Sequence, residues 1–307
     1  MSTARSQFLA SVNGIEDAVS LDIIAAGTTT TPERNGILVL RRGILVAALV
    51  TFETFVRDRT SELLHQLSRW PGHFEDLPQG LRDASLLNAL SNLQKYASML
   101  KKQKEDYQSE IIGEITKMAA CKGPNFGFTK FVAGDYTGNI SELGLKDLLL
   151  TFQIEDCWNT FRQFSADIGF GVPSVQQLLA DVVRKRHRSA HVAGFTPAAT
   201  DIAELGSSLF CLGICFDIAM TASVEQALAM WQPWSERKLK WRDGVDLFLV
   251  DHHKAKLRVT QVGKKRAIVI SGDAGSIPKR LPRPAAGRVA VVVFRDVAGL
   301  PKSWLTL

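Results

Sequence analysis

The spacing of apolar residues changes once along this 307-residue chain, and that change constrains the fold more than any other feature. Up to about residue 230, apolar side chains recur every three or four positions, as on one face of an α-helix. After Pro233 they alternate with polar residues, as in half-buried β-strands. The pattern predicts a mainly α protein in which a helical bundle of residues 1–234 precedes a small all-β domain of residues 235–307. We expect that domain to be an antiparallel sheet or barrel.

The same two periods place the individual elements. Helices are expected at residues 43–67, 81–100, 109–119, 142–152, 158–168, 175–183 and 202–230. Glycines interrupt residues 121–139 repeatedly, which predicts a long loop with one short strand at most; loops of this length often carry function. Strands are expected at residues 245–250, 255–260, 267–270, 289–294 and 303–307.

Charge divides the chain at the same place. Residues 235–307 contain 16 Lys and Arg against 6 Asp and Glu, hence +10, whereas residues 1–234 contain 21 against 25, hence −4. A basic surface of this kind is suited to a nucleic-acid backbone, and the candidate RNA-binding residues are Lys264, Lys265, Arg266, Lys279 and Arg280. Two alternatives are a solvated basic surface and a surface that docks on the acidic helical part.

The composition excludes several classes of protein. With 46% apolar and 22% charged residues it is that of a globular chain. The first residues lack the apolar core of a signal peptide, and the apolar stretch at residues 205–216 is short for a membrane span, so we expect a cytoplasmic protein without a membrane partner. Cys211 and Cys215 fit a metal pair or two small core residues. The second is favoured because no matching His or Cys pair lies nearby, and no metal or cofactor is predicted.

One basic segment carries groups suited to phosphodiester chemistry: Arg186-His187-Arg188-Ser189-Ala190-His191. An imidazole can accept a proton from a ribose 2′-hydroxyl, and a guanidinium fork matches phosphate oxygens. His187 and Ser189 add polar groups that could orient the reacting ones. Arg186 and His191 are separated by about 140° on a continuous helix, so we expect the helix to end or bend near Arg188. The alternative is a basic helix end that balances the helix dipole.

The same segment resembles the motif of the HEPN superfamily, an Arg followed after four to six positions by a His. Here Arg186 and His191 match, His187 stands where many members have Asn, and Val192 replaces the usual Gly. Residues 49–56, with Phe52-Glu53, are similar to an early helix of RiboL-PSP-like HEPN domains, and residues 202–230 fit the closing helix of the bundle. The resemblance covers roughly residues 35–230.

This resemblance implies a HEPN-like bundle that forms a homodimer with a composite active site at the interface. The implied reaction is metal-independent RNA cleavage by 2′-hydroxyl attack, which leaves a 2′,3′-cyclic phosphate and a 5′-hydroxyl. Arg186 would stabilise the phosphorane, His191 would transfer a proton or orient the phosphate, and His187 would support the geometry. Glu53 would be a supporting acidic residue. The neighbouring cations Arg184, Lys185 and Arg188 are candidate RNA contacts.

The biological role implied is that of a toxin or antiphage defence effector, with an antitoxin or regulatory protein as a possible partner. Two other hypotheses fit the sequence. One is a non-catalytic RNA-binding or regulatory module with the same helical fold. The other is an interaction protein that recruits an acidic partner through its basic tail.

Overall fold

The computed structural model describes residues 2–28, 35–120, 126–134, 140–264 and 266–307. The α-helices are α1 (Thr3–Thr28), α2 (Asn35–Leu67), α3 (Gln79–Asp83), α4 (Ala89–Gln103), α5 (Tyr107–Ala119), α6 (Glu142–Thr151), α7 (Cys157–Ile168), α8 (Val175–His191), α9 (Ala199–Ala203), α10 (Leu205–Ala229), α11 (Trp231–Ser235) and α12 (Ile277–Arg280). The strands are β1 (Val245–His253), β2 (Lys256–Gln261), β3 (Ala267–Ser271), β4 (Val289–Arg295) and β5 (Pro301–Thr306).

The helices and strands predicted from periodicity are all present, and the mainly α class is confirmed. The expected helix at residues 81–100 is divided, because a π-helical turn at Ala84–Asn88 joins α3 to α4. Residues 126–134 of the expected loop contain a 3-10 turn, Lys130–Ala133, and no strand. The rest of that loop, at 121–125 and 135–139, lies outside the described residues.

Helix α10 forms the centre of the molecule. It is apolar on every side, and a helix of that kind must be buried on every side. Nearly all of its side chains are buried, and it packs against α1, α2, α7 and α8 as well as against β4 and β5. The bundle and the sheet are therefore assembled on one helix.

The C-terminal strands form one open sheet in the order β3-β2-β1-β4-β5. The small β region at the C-terminus is confirmed, but strands β1 and β4 pair in parallel while the other neighbours pair in antiparallel, so the expectation of an antiparallel sheet was wrong. A parallel pair requires a crossover connection, and residues 272–288 supply one that contains α12. Periodicity predicts strands but not their partners, which is why the mixed sheet was missed.

The two faces of the sheet belong to different hydrophobic clusters. One face joins the main core together with the helices, through Val245, Leu247, Leu249, Val289, Val291, Val293 and Trp304. The other face packs with α12 and contains Phe248, Val250, Val259, Val269, Ile277, Leu281, Ala290 and Val292. The change of pattern at residue 235 therefore marks a change of secondary structure within one continuous core.

A buried charge network fastens the sheet to the helices. The carboxylate of Asp217 on α10 accepts hydrogen bonds from Nε of Arg5, Nε of Arg59 and Nε1 of Trp304, each at 2.6 Å. Nη2 of Arg59 donates to the hydroxyl of Thr221, and Nη2 of Arg5 donates to the hydroxyl of Thr306. Burial acts to raise the pKa of Asp217, but the attraction of Arg59 and Arg5 outweighs it and holds the pKa far below its ordinary value.

Two helical segments are long and apolar enough to cross a membrane if only length and composition are considered. The segment Ala199–Ala229 has 89% of its most apolar window buried inside the protein, as a core helix does. Helix α2 has only 28% of its window buried. It therefore leaves an apolar surface exposed.

Candidate active site

Helix α8 carries the predicted motif at its C-terminal end. Ser174 caps its N-terminus by accepting a hydrogen bond from the backbone N–H of Gln177, and Val175, Leu179 and Val182 bury one face. The helix continues without interruption to His191, so the expected end or bend near Arg188 was wrong. Residues 186–191 contain no Gly or Pro, so nothing in them breaks a helix. The first glycine after the motif is Gly194, beyond the end of α8.

The structure nevertheless brings the three candidate catalytic side chains together. Nη1 of Arg186 lies 3.5 Å from Nε2 of His191, although their backbone positions point in different directions. The long arginine side chain spans the angular gap at the exposed end of the helix. The rings of His187 and His191, one turn apart, have centroids 5.0 Å apart with planes inclined at 51°. A guanidinium and two imidazoles therefore share one exposed surface.

Glu53 on α2 lies beside this group. Its side chain is buried, and Oε1 accepts a hydrogen bond from the backbone N–H of Ile140 at 2.7 Å. Burial raises the pKa of Glu53, while that hydrogen bond and the positive charges of Arg57 and Arg186 act in the opposite direction. The acidic residue that the resemblance placed near Arg186 is thus close enough to act on it electrostatically.

The four cations of the motif region differ in how they are held. Arg184 is paired with Asp181, Nζ of Lys185 lies 3.3 Å from Asp201, and the guanidinium of Arg188 stacks 4.2 Å above the ring of Phe195. Arg186 forms no ion pair with any residue in the described ranges, and its buried Nε has no hydrogen-bond acceptor among them. Arg186 and Arg188 are thus the two of these four cations that have no ion pair among the described residues, and Glu53 is the acid whose charge acts on Arg186.

Ser189 does not contribute to this surface. It lies on the buried side of α8, and its Oγ has no hydrogen-bond partner in the part of the chain that the structure describes. It therefore makes no hydrogen bond to Arg186 or His191. A buried hydroxyl without a partner carries a desolvation cost.

Two arginines of α2 hold the segment that follows the motif, and sequence reasoning missed both. Nε of Arg42 donates to the carbonyl of Phe195 at 2.9 Å, and Nη2 donates to the carbonyl of Ala193. Arg41 donates to the carbonyl of Pro197 at 3.2 Å. The sequence contains a signal for them, because two adjacent arginines inside an otherwise apolar helix require hydrogen-bond acceptors elsewhere in the protein.

The candidate RNA-binding residues of the tail lie elsewhere. Lys264 and Arg266 are exposed at the β2–β3 turn, Lys279 is exposed on α12, and Nη1 of Arg280 donates to the carbonyl of Ile270 at 3.1 Å. Lys265 lies outside the described residues. Because Trp241, Phe248 and Trp304 are buried, they are not available to stack on bases.

The described residues contain no cluster of three or more His, Cys, Asp or Glu that could hold a metal ion. Cys211 and Cys215 are free thiols in the core, as the favoured interpretation predicted. Burial raises the pKa of the Cys215 thiol, which keeps it protonated and unreactive.

Comparison of the chain with protein-family models, with curated proteins and with solved structures found no match. What the protein does is therefore inferred from the geometry of α8 and its neighbours, together with the resemblance of residues 186–191 to the HEPN motif.

Proposed function

We propose that the protein is a metal-independent endoribonuclease whose reacting groups are Arg186 and His191, supported by His187. One observation carries the proposal: the guanidinium of Arg186 has no acidic partner among the described residues and lies 3.5 Å from Nε2 of His191 on an exposed surface. A basic helix end that served only the helix dipole would not require this pairing. The other three cations of the same region already have protein partners.

The chemistry follows from the two side chains. The imidazole of His191 accepts the proton of a ribose 2′-hydroxyl, and the 2′-oxygen attacks the adjacent phosphorus. The bond from phosphorus to the 5′-oxygen breaks, that oxygen takes up a proton, and the products are a 2′,3′-cyclic phosphate and a 5′-hydroxyl. Arg186 donates to the phosphate oxygens, where negative charge increases in the transition state. Glu53 holds the guanidinium in place through its charge.

A second copy of the chain supplies the rest of the site. The leaving 5′-oxygen requires an acid in addition to the base, and a paired copy would provide it with its own His191 and His187. We place the contact on the exposed stripe of α2 formed by Val39, Gly43, Ala47 and Val50. On helical geometry Arg42 and Glu53 border this stripe, so a chain packed there lies next to α8.

We assign the protein to the cytoplasm and to a toxin or antiphage role, with a neutralising partner, by analogy with the family that the motif resembles. A nuclease that cuts RNA inside the cell requires control by such a partner. The analogy concerns the role only, since fold does not determine function.

The test is cleavage of a single-stranded RNA in the presence of EDTA by purified full-length variants. We expect His191→Ala and Arg186→Ala to lower the rate by about 10²–10⁴-fold, the usual contribution of a positioned proton-transfer group. Arg162→Ala, a charge change at an exposed position of α7, and His252→Ala, an exposed imidazole on the sheet, are matched controls that should retain the rate. The products should end in 2′,3′-cyclic phosphate.

Undiminished cleavage by His191→Ala would exclude the mechanism, and RNA binding without cleavage by the unaltered protein would favour the non-catalytic module. The dimer is tested separately with Ala47→Glu, which places a charge on the apolar stripe. We expect a monomer by sedimentation that is folded and inactive. A monomeric Ala47→Glu protein with full activity would exclude the composite site.

A further inference from the structure

The outer half of the sheet is the most strongly charged part of the molecule. Residues 254–283 contain nine Lys and Arg and a single acidic residue, Asp273. The carboxylate of Asp273 caps the turn that follows it, since its Oδ1 accepts a hydrogen bond from the backbone N–H of Gly275 at 2.9 Å. The segment therefore presents positive charge without internal compensation.

The cations lie on both sides of the edge strand β3. Arg258 on β2 stands directly opposite Ile270 on β3, and Lys256 projects on the same side as Arg258. Ile270 is 50% exposed, so the helical bundle does not cover this part of the sheet. On the other side α12 carries Lys279 and Arg280, and Arg280 donates to the outward carbonyl of Ile270.

The helical part of the chain does not neutralise this surface. Lys256, Lys264, Arg266, Lys279 and Arg283 are exposed and form no ion pair with any described residue. The sheet docks on the helices through apolar side chains, through the Asp217 network and through ion pairs of Arg237, Arg242 and Lys302 with Glu155, Asp167 and Glu16. Docking on the acidic helices, one of the alternatives from the sequence, therefore holds for these three cations of the tail but not for the five exposed cations of the edge.

We propose that this edge, formed by β2, β3 and α12, binds the phosphate backbone of RNA at a place separate from the pair on α8. Its exposed lysines favour phosphate over an acidic protein, because lysine is depleted at protein–protein interfaces. Phe248 and Trp304 are buried and Phe294 is half-buried, so binding depends on charge more than on base stacking. The edge retains RNA irrespective of its sequence, and it does so whether or not α8 cleaves.

The test measures binding of a uridine oligonucleotide by fluorescence anisotropy across a salt series, with His191→Ala as the background so that cleavage does not interfere. Each phosphate contact contributes about −0.7 to the slope of log K against log salt for single strands, so Lys256→Gln/Lys264→Gln/Lys279→Gln should reduce that slope by about 2. The matched control, Lys101→Gln/Lys102→Gln/Lys104→Gln at the end of α4, changes the net charge equally and should retain the slope.

Thermal unfolding of both triple variants should match that of the background, since all six positions are exposed. The proposal is overturned if the edge variant retains the full slope, or if the α4 variant loses as much. It is also overturned if poly-glutamate of equal charge displaces RNA as efficiently as unlabelled RNA does, because the surface would then recognise acidic chains in general.

Discussion

Helix α2 contributes to two charged clusters that differ in almost every physical respect. Arg59 belongs to the buried network around Asp217, in which every charged group has a partner. Glu53, less than two turns earlier, belongs to the cluster with Arg186 and His191, where an exposed imidazole lies beside a guanidinium that no described acid neutralises. The same helix thus supports one cluster with complete pairing and one without.

The difference teaches that pairing, and not charge alone, distinguishes a structural cluster from a candidate functional one. Removing one member of a buried pair leaves an uncompensated charge and destabilises the fold. The guanidinium of Arg186 is half-buried, with an unpaired Nε that costs the fold some stability, and it has no ion pair among the described residues that would compete with an external phosphate. We therefore expect changes at Asp217 to act on stability and changes at Arg186 to act on chemistry.

The largest effect should follow removal of residues 235–307, which takes Trp304 from the buried network. It also removes seven apolar side chains from the main core, at roughly 1.5–3 kcal/mol each, against a total stability of about 5–15 kcal/mol for a typical protein. We expect residues 1–234 to show no cooperative unfolding in urea by circular dichroism. A cooperative transition would show that the helices form a separable domain, as the sequence alone predicted.

The next effect should follow Asp217→Asn, which leaves Arg5 buried without an anion and Arg59 with Glu62 as its remaining carboxylate partner. We expect a loss of about 3–5 kcal/mol at neutral pH, measured by urea titration, with cleavage per folded molecule unchanged. Because the folded-state pKa of Asp217 is held below its ordinary 3.8, its stabilisation is present above that pH and is lost as the pH falls below it. The Asp217→Asn variant should therefore lack the part of the stability that the unaltered protein loses when the pH falls below 3.8.

Asp251→Asn provides the control for that experiment. Asp251 pairs with Arg295 at 2.7 Å on the partly exposed end of the sheet. Pairs of this kind contribute about 0–1 kcal/mol. If Asp251→Asn destabilised the protein as much as Asp217→Asn, the distinction between a buried and an exposed cluster would fail.

The smallest effect should follow Glu53→Gln, at the border between the two clusters. The pKa of Glu53 is raised above its ordinary 4.5, mainly by burial, so its contribution to stability decreases as the pH rises through that range. The amide still accepts the hydrogen bond from Ile140 but cannot ionise, and we expect stability to depend less on pH above the ordinary 4.5 of a glutamate. We also expect slower cleavage, because Arg186 loses the charge that holds it. An unchanged pH dependence would mean that Glu53 is not buried as described.

Much of the fold follows from local patterns. The strand β4 and the helix α7 could be located to within a residue or two because their periods are clear and glycines bound them. The parallel pairing of β1 with β4 could not be predicted, since it joins segments about forty residues apart by contacts that leave no local pattern. Helix α1 received no prediction of its own, although Phe8, Val12 and Ile15 follow helical spacing.

The candidate site was predicted less completely than the fold. The residue types at 186–191 pointed to α8, but a bend was expected where a long arginine side chain suffices to reach His191. The supporting arginines Arg41 and Arg42 were missed because their acceptors, the Asp22 carboxylate and the backbone carbonyls of Phe195 and Pro197, are distant in sequence. Asp217 was taken only as the end of an apolar stretch. An acidic residue within a buried helix requires a partner, and that rule would have indicated the network.

The bond between Trp304 and Asp217 has a consequence for the timing of synthesis. These residues are 87 positions apart, and a ribosome that adds 5–20 residues per second takes about 4–17 s to progress from one to the other. During that interval α1 and α2 have already been synthesised and α10 is completed, but the strand that completes the buried network is still to be made. The nascent chain therefore remains incompletely closed until its last strand appears. If the protein cleaves RNA as proposed, this delay keeps the growing chain inactive while it is still attached to its own messenger.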